Sequence, residues 1–136
     1  MTSLDTNVAP RWRFDGGRAN HSLAVDLLEQ IGPVEALVVG PIVFAELMAS
    51  PEREALKQFL DDSAIDVRWD MPYEVWESAG IDFGARTRGL KDLDQGKRIL
   101  PDFLIAAQAA YFEWNFATMD RKFFRDGFKS LTVRRK

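Results

Sequence analysis

At 136 residues, 46% hydrophobic and 29% charged, the chain has the length and composition of one folded domain with a sizeable core, expected to span 1–136. It has no cysteine, which excludes disulfides and thiolate metal sites and suits a reducing compartment; its one histidine, His21, leaves zinc or triad chemistry undersupplied. The formal charge of −3 argues against nucleic-acid binding by bulk charge alone, and with neither a signal-peptide pattern nor a run of ~18 apolar residues the expectation is a cytoplasmic protein without membrane contact.

Met1 to Leu4 is a short apolar entry stopped by the turn and cap residues Asp5-Thr6-Asn7, which predicts a brief strand feeding a helix. Pro10 makes the first turn of that helix unusual, and Arg11 to Gly17 are too polar and glycine-rich to continue it strongly. Between Asn20 and Gly32, Leu23, Leu27, Leu28 and Ile31 recur at helical spacing, and Gly32-Pro33 ends the pattern. Ala36-Leu37-Val38-Val39 has the length and β-branching of a strand; Gly40-Pro41 closes it, and Ile42 to Ala49 resumes at helical period. A further helix is expected from Pro51 and Glu52 with Leu56, Phe59 and Leu60 on one face, then an alternating strand over Ile65-Asp66-Val67-Arg68-Trp69. From Pro72, Val75, Trp76, Ala79 and Phe83 mark another helix, whereas Gly89 to Arg98 is polar and charged. Pro101 to Phe112, apolar almost all round, is expected to be a core helix packed on several sides. Phe116-Ala117-Thr118, a short helix from Asp120, and Leu131-Thr132-Val133 complete the chain as strand, helix, strand.

Short apolar strands alternating with helices define an α/β fold, a central, mainly parallel sheet with helices on both faces. Ligands bind such sheets beyond the carboxyl ends of the strands. Asp5 directly follows the first strand and Asp120 follows the Phe116 to Thr118 strand by one residue, while Glu46 and Asp102 lie on helices that a strand-end crevice can reach. Read singly, Asp102 after Pro101 and Asp120 before Arg121-Lys122 are better explained as simple helix caps. Asp5 exceeds what a turn needs, because Asp-Thr-Asn supplies three oxygen-bearing side chains where one suffices. Glu46 is the sharpest anomaly. Helical rotation sets it beside Ile42 and Val43, where a carboxylate costs on the order of several kcal/mol unless paired, protonated or bound to a cation.

The segments Leu4-Asp5-Thr6-Asn7-Val8, Phe44-Ala45-Glu46-Leu47, Pro101-Asp102-Phe103-Leu104-Ile105-Ala106-Ala107 and Ala117-Thr118-Met119-Asp120-Arg121-Lys122-Phe123-Phe124 occur in this order across nearly the whole chain. With them the chain resembles the PIN-domain ribonucleases, and within these the toxin half of VapBC-type toxin-antitoxin systems. The resemblance implies a three-layer α/β/α PIN-like domain in which Asp5, Glu46, Asp102 and Asp120 form a catalytic quartet holding Mg²⁺ or Mn²⁺, with Asn7 and Thr118 in support. It also implies an endoribonuclease toxin that hydrolyses RNA phosphodiester bonds through a metal-activated water, leaving a 5′-phosphate and a 3′-hydroxyl. A homodimer is implied too, neutralised by a cognate VapB-type antitoxin seated in the acidic crevice. The chain departs from the family pattern in its minimal first strand and in Ala9-Pro10-Arg11-Trp12 after the first acid, which predicts a displaced or shortened first helix.

Carboxylates suit such a site because Mg²⁺ is a hard cation that takes oxygen ligands at about 2.0 to 2.1 Å and keeps several waters. The spacing leaves one ion or two open. Arg86, Arg88, Lys91, Lys97 and Arg98 flank the stretch before Asp102 and are candidate phosphate contacts, with a solvated helix end as the plainer reading. Arg11, Trp12 and Arg13 combine charge with stacking, although Trp12 and Phe14 equally suit core cover or partner contact; His21 and Arg134-Arg135-Lys136 read as surface. Two other classes compete. An aspartate-based phosphoryl-transfer domain would need a second aspartate where Asn7 stands, or an acidic pair after the first strand; a non-catalytic PIN-like interaction domain would keep the fold without the chemistry.

Overall fold

The computed structural model describes residues 1–6, 8, 36–88, 100–118 and 132–133. The expectations for a helix over Asn20 to Gly32, a displaced helix after Asn7, the polar stretch Gly89 to Arg98 and a helix from Asp120 lie outside these residues. The elements run β1 (Thr2–Leu4), β2 (Leu37–Val39), α1 (Pro41–Met48), α2 (Arg53–Asp62), β3 (Asp66–Val67), α3 (Tyr73–Thr87), α4 (Leu100–Tyr111), β4 (Asn115–Ala117) and β5 (Thr132–Val133). They form a three-layer α/β/α fold, as the strand and helix alternation predicts.

The sheet has the order β3-β2-β1-β4-β5 and every pairing is parallel. All carboxyl ends therefore share one edge. The chain order reverses between β1 and β4, and a crevice opens at such a reversal. The central strand β1 is buried through Thr2, Ser3 and Leu4, and its neighbour β2 through Leu37, Val38 and Val39. On α4 the run Phe103 to Ala109 is buried without interruption, which makes it the core helix that its sequence predicts. It lies along α3, where Phe83 and Phe103 meet edge to face with ring centres 5.4 Å apart, and it touches α1 and β4.

Local chemistry turns the chain from helix to strand twice in the same way. Ala64 (φ 53°) and Glu113 (φ 57°) take left-handed backbone just past α2 and α4. Ile65 N–H then reaches back to Leu60 O and Trp114 N–H to Ala109 O, both at 2.9 Å, a closure that satisfies the last helical carbonyls and delivers the chain straight into β3 and β4.

Three details depart from the sequence expectation. The alternating stretch Ile65 to Trp69 pairs as a strand only over Asp66–Val67, and Trp69 is 61% exposed rather than inward-facing. At this sheet edge Gln108 takes hold of the chain instead. Buried on α4, it donates Nε2 to the carbonyls of Arg68 (3.1 Å) and Asp70 (2.8 Å), just where the ladder ends with Arg68 N–H on Val39 O at 2.8 Å. Trp76, expected with Val75, Ala79 and Phe83, is half exposed, because those three follow one another at four-residue steps while Trp76 stands roughly 100° round the helix. Glu46 is exposed on the flank of α1, whose inward positions are Val43 and Leu47, so no burial cost applies to it.

The Gln108 clamp also explains Gly40. A Cβ there would overlap Gln108 Oε1, and because Gly40 has extended backbone the need is for space and not for unusual dihedrals. Gly40→Ala is expected to destabilise by about 1–3 kcal/mol through overpacking. Gln108→Ala should cost a similar ~1–3 kcal/mol by leaving the two carbonyls without their donor. In urea titrations the double variant should lose less than the two single variants combined, since removing Gln108 makes room for the added methyl.

Candidate active site

Asp5 is the first residue beyond β1 and is 6% exposed. Its N–H bonds to Ala117 O at 2.9 Å, which carries the β1–β4 ladder one step past Leu4 and places Asp5 at the reversal of strand order. Its carboxylate is met from both sides by neutral donors. Thr118 Oγ1, from the end of β4, donates to Oδ2 at 2.7 Å, and Thr6 N–H donates to Oδ1 at 2.8 Å. Neither donor cancels the charge. Burial is the main reason that the Asp5 carboxyl is pushed up from an ordinary 3.8 to about 6; the two donors pull it down, and the charges of Asp102 and Glu46 push it up further.

Glu46 and Asp102 are therefore near enough to act on Asp5. Glu46 Oε1 accepts the Thr6 hydroxyl at 2.6 Å, which links α1 to the turn after β1. Asp102 is half buried in the first turn of α4, where the helix dipole also favours an anion. Thr118, expected from the sequence as a supporting residue, is buried against Asp5. Among the described residues Thr6 is a member of the site that sequence reasoning leaves unassigned; its signal is the polar run after Leu4, in which it stands beside Asp5. Arg86 and Arg88 are exposed at the C-terminal end of α3. Asp120, Asn7, Lys91, Lys97 and Arg98 lie outside the described residues.

Among the described residues no three His, Cys, Asp or Glu side chains close around a common point. The donor set still fits a hard divalent cation. It consists of oxygen ligands, and at its centre is a buried carboxylate whose protein donors are neutral while its charged neighbours Glu46 and Asp102 repel it.

The fold is an α/β domain with Asp5 buried at the strand-order reversal and the charges of Glu46 and Asp102 acting on it. A PIN domain model matches residues 3–129, and the chain belongs to the PIN domain family. Solved structures of similar fold include VapBC2 from Rickettsia felis bound to a DNA fragment from their promoter, at 22% identity and TM-score 0.61, covering 98% of this chain and 96% of that one. A toxin-antitoxin complex from Klebsiella pneumoniae is similar at 20% identity and TM-score 0.64, covering 99% and 97% of the two chains. FitAcB from Neisseria gonorrhoeae is similar at 20% identity and TM-score 0.61, also covering 99% and 97%. No curated protein matches the chain at a significant level.

The raised Asp5 carboxyl sets a pH dependence. A carboxyl that binds its proton more tightly when folded favours the folded state at low pH. The penalty is absent below about 3.8, grows as pH rises towards 6 and is complete above it, where it amounts to about 3 kcal/mol. Asp5→Asn, which cannot ionise, should therefore be more stable than the parent at pH 7.5 in buffer free of divalent cations, by up to ~3 kcal/mol, and the advantage should vanish near pH 4. Urea unfolding of both proteins at the two pH values checks this.

Proposed function

We propose that the chain is a metal-dependent endoribonuclease toxin of the VapC type, one PIN domain over 1–136, acting in the cytoplasm and silenced by a cognate VapB-type antitoxin. The observation that carries the reading is Asp5, a buried carboxylate at the strand-order reversal with Glu46 and Asp102 acting on it. Family membership supports it, as do structural neighbours that are toxin-antitoxin complexes.

In this reading Asp5, Glu46, Asp102 and Asp120 hold Mg²⁺ or Mn²⁺. When bound, the ion supplies an activated water for attack on phosphorus and neutralises charge on the phosphodiester. The chain's own residues do the positioning. Thr118 and the Thr6 amide each fix one oxygen of Asp5, the Thr6 hydroxyl holds Glu46, and α4 presents Asp102 from its first turn. Asn7 supports the carboxylates. Arg86 and Arg88, with Lys91, Lys97 and Arg98, draw the RNA backbone towards the crevice. The partner on the acidic face is an antitoxin segment, and the toxin itself pairs as a homodimer.

The test is cleavage of defined structured RNAs with Mg²⁺, Mn²⁺ or EDTA, with cut sites mapped and the new ends typed. Cleavage should require a divalent cation and leave 5′-phosphates. Asp5→Asn should remove it by more than about 100-fold, beyond what the loss of an outer-layer partner costs, while the protein stays folded. Undiminished cleavage by that variant would sink the assignment, and no cleavage by the parent on any RNA would leave an interaction domain.

A further inference from the structure

Glu46 occupies a poor place by the rules of its own helix. It lies in the last turn of α1, at the negative end of the helix dipole, and that turn carries no basic residue. It does not fill the core either, being exposed on the flank of a helix that buries Val43 and Leu47. Neither packing nor helix stability accounts for a carboxylate here. Left to itself, an exposed glutamate spreads over many rotamers, and ordering it would consume entropy each time a ligand bound.

Among the described residues, one group restrains it. Thr6 Oγ1 donates to Glu46 Oε1 at 2.6 Å across a sequence separation of 40 residues. Thr6 is itself well fixed. Its N–H is bonded to Asp5 Oδ1, and the Asp5 carbonyl accepts the N–H of the fully buried Val8 at 3.2 Å, so a closed turn holds the Thr6 backbone on both sides. The branched Thr side chain has few χ1 rotamers, and its hydroxyl is thus aimed. Thr6 therefore touches both carboxylates, Asp5 through its amide and Glu46 through its hydroxyl. Because the second bond is exposed, water competes for both groups and little net stability comes from it. Its effect is on position.

We propose that Thr6 is a positioning residue that fixes the Glu46 carboxylate relative to Asp5 and so prepares the pair to take a divalent cation. The proposal rests on the reading that Asp5 and Glu46 serve one metal-dependent site. Outer-layer partners of this kind, which orient a ligand without touching the ion, typically govern about 10- to 100-fold in metal affinity.

Mn²⁺ titration of the purified protein, followed by electron paramagnetic resonance and by the rise in melting temperature, tests this without reference to activity. Thr6→Val keeps the branched shape and the backbone amide but loses the hydroxyl. It should bind Mn²⁺ about 10- to 100-fold more weakly, with urea stability in metal-free buffer close to that of the parent. Thr6→Ser should recover most of the affinity, though not all, because its χ1 is freer. In a Glu46→Ala background, where no side-chain oxygen is left for the hydroxyl to hold, Thr6→Val should have little further effect. If Thr6→Val does not fold, Thr6→Ala takes its place in the same series. Parent-like Mn²⁺ affinity in the hydroxyl-free variant would overturn the proposal, as would a Ser variant as weak as Val, or an undiminished effect of Thr6→Val when Glu46 is already changed. If the parent binds no Mn²⁺ at all, the metal-dependent reading falls together with this one; if the parent binds and Thr6→Val binds equally well, only the role of Thr6 falls.

Discussion

The structure is organised around one uncomfortable group, a carboxylate buried at the end of the central strand. Asp5 has lost most of its contact with water, and in return it receives a hydroxyl and an amide, which orient charge without cancelling it. Two further carboxylates act on it from α1 and α4. A core selected for stability alone would not assemble these groups. The site is held by its surroundings: the β1–β4 ladder continues onto Asp5 through Ala117, and Thr118 closes the same junction from the side chain.

The scaffold around this point is stiff where the crevice needs it. Helix α4 carries Asp102 near its start and Gln108 six residues later, so the helix that presents an acid is also pinned to the edge of the sheet through the carbonyls of Arg68 and Asp70. At a rise of about 1.5 Å per residue the clamp and the acid are only about 9 Å apart along the axis. Gly40 leaves the space through which this clamp passes. A substitution at the end of β2 can therefore reach the crevice through α4 without touching any of its carboxylates.

Much of this is legible in the residues. The strands around Leu37–Val39 and Asn115–Ala117 are short, apolar and bounded by turn residues, and helix α4 is apolar almost all round, so local pattern and tertiary role agree. Asp5 stands out because three oxygen-bearing side chains follow an apolar run. The features that sequence does not reveal are set by contacts between distant segments. The carbonyls on either side of Trp69 are held by Gln108, about forty positions away, and Trp69 itself meets Phe44 edge to face, contacts that periodicity over five residues cannot see. Glu46 shows the same limit from the other direction. Its apolar neighbours suggest burial, yet whether a flank position is covered depends on what packs beside the helix, and here the turn after β1 gives it a hydroxyl and leaves it exposed to water. The burial that its apolar neighbours suggest is absent.

The bond from Thr118 to Asp5 joins positions 113 residues apart. Contacts of such long sequence separation form late, since the chain between must be ordered before they gain anything. A polypeptide still under synthesis carries Asp5 well before the strand that seats it, since residue 118 emerges 113 positions later, and the β4 edge has no β5 partner until residues 132–133 follow. Fragments from arrested synthesis or from clipping ahead of β4 have the acid without its cradle. For a chain whose proposed substrate is RNA, that order of assembly would leave the unfinished polypeptide unable to attack the message from which it is being read.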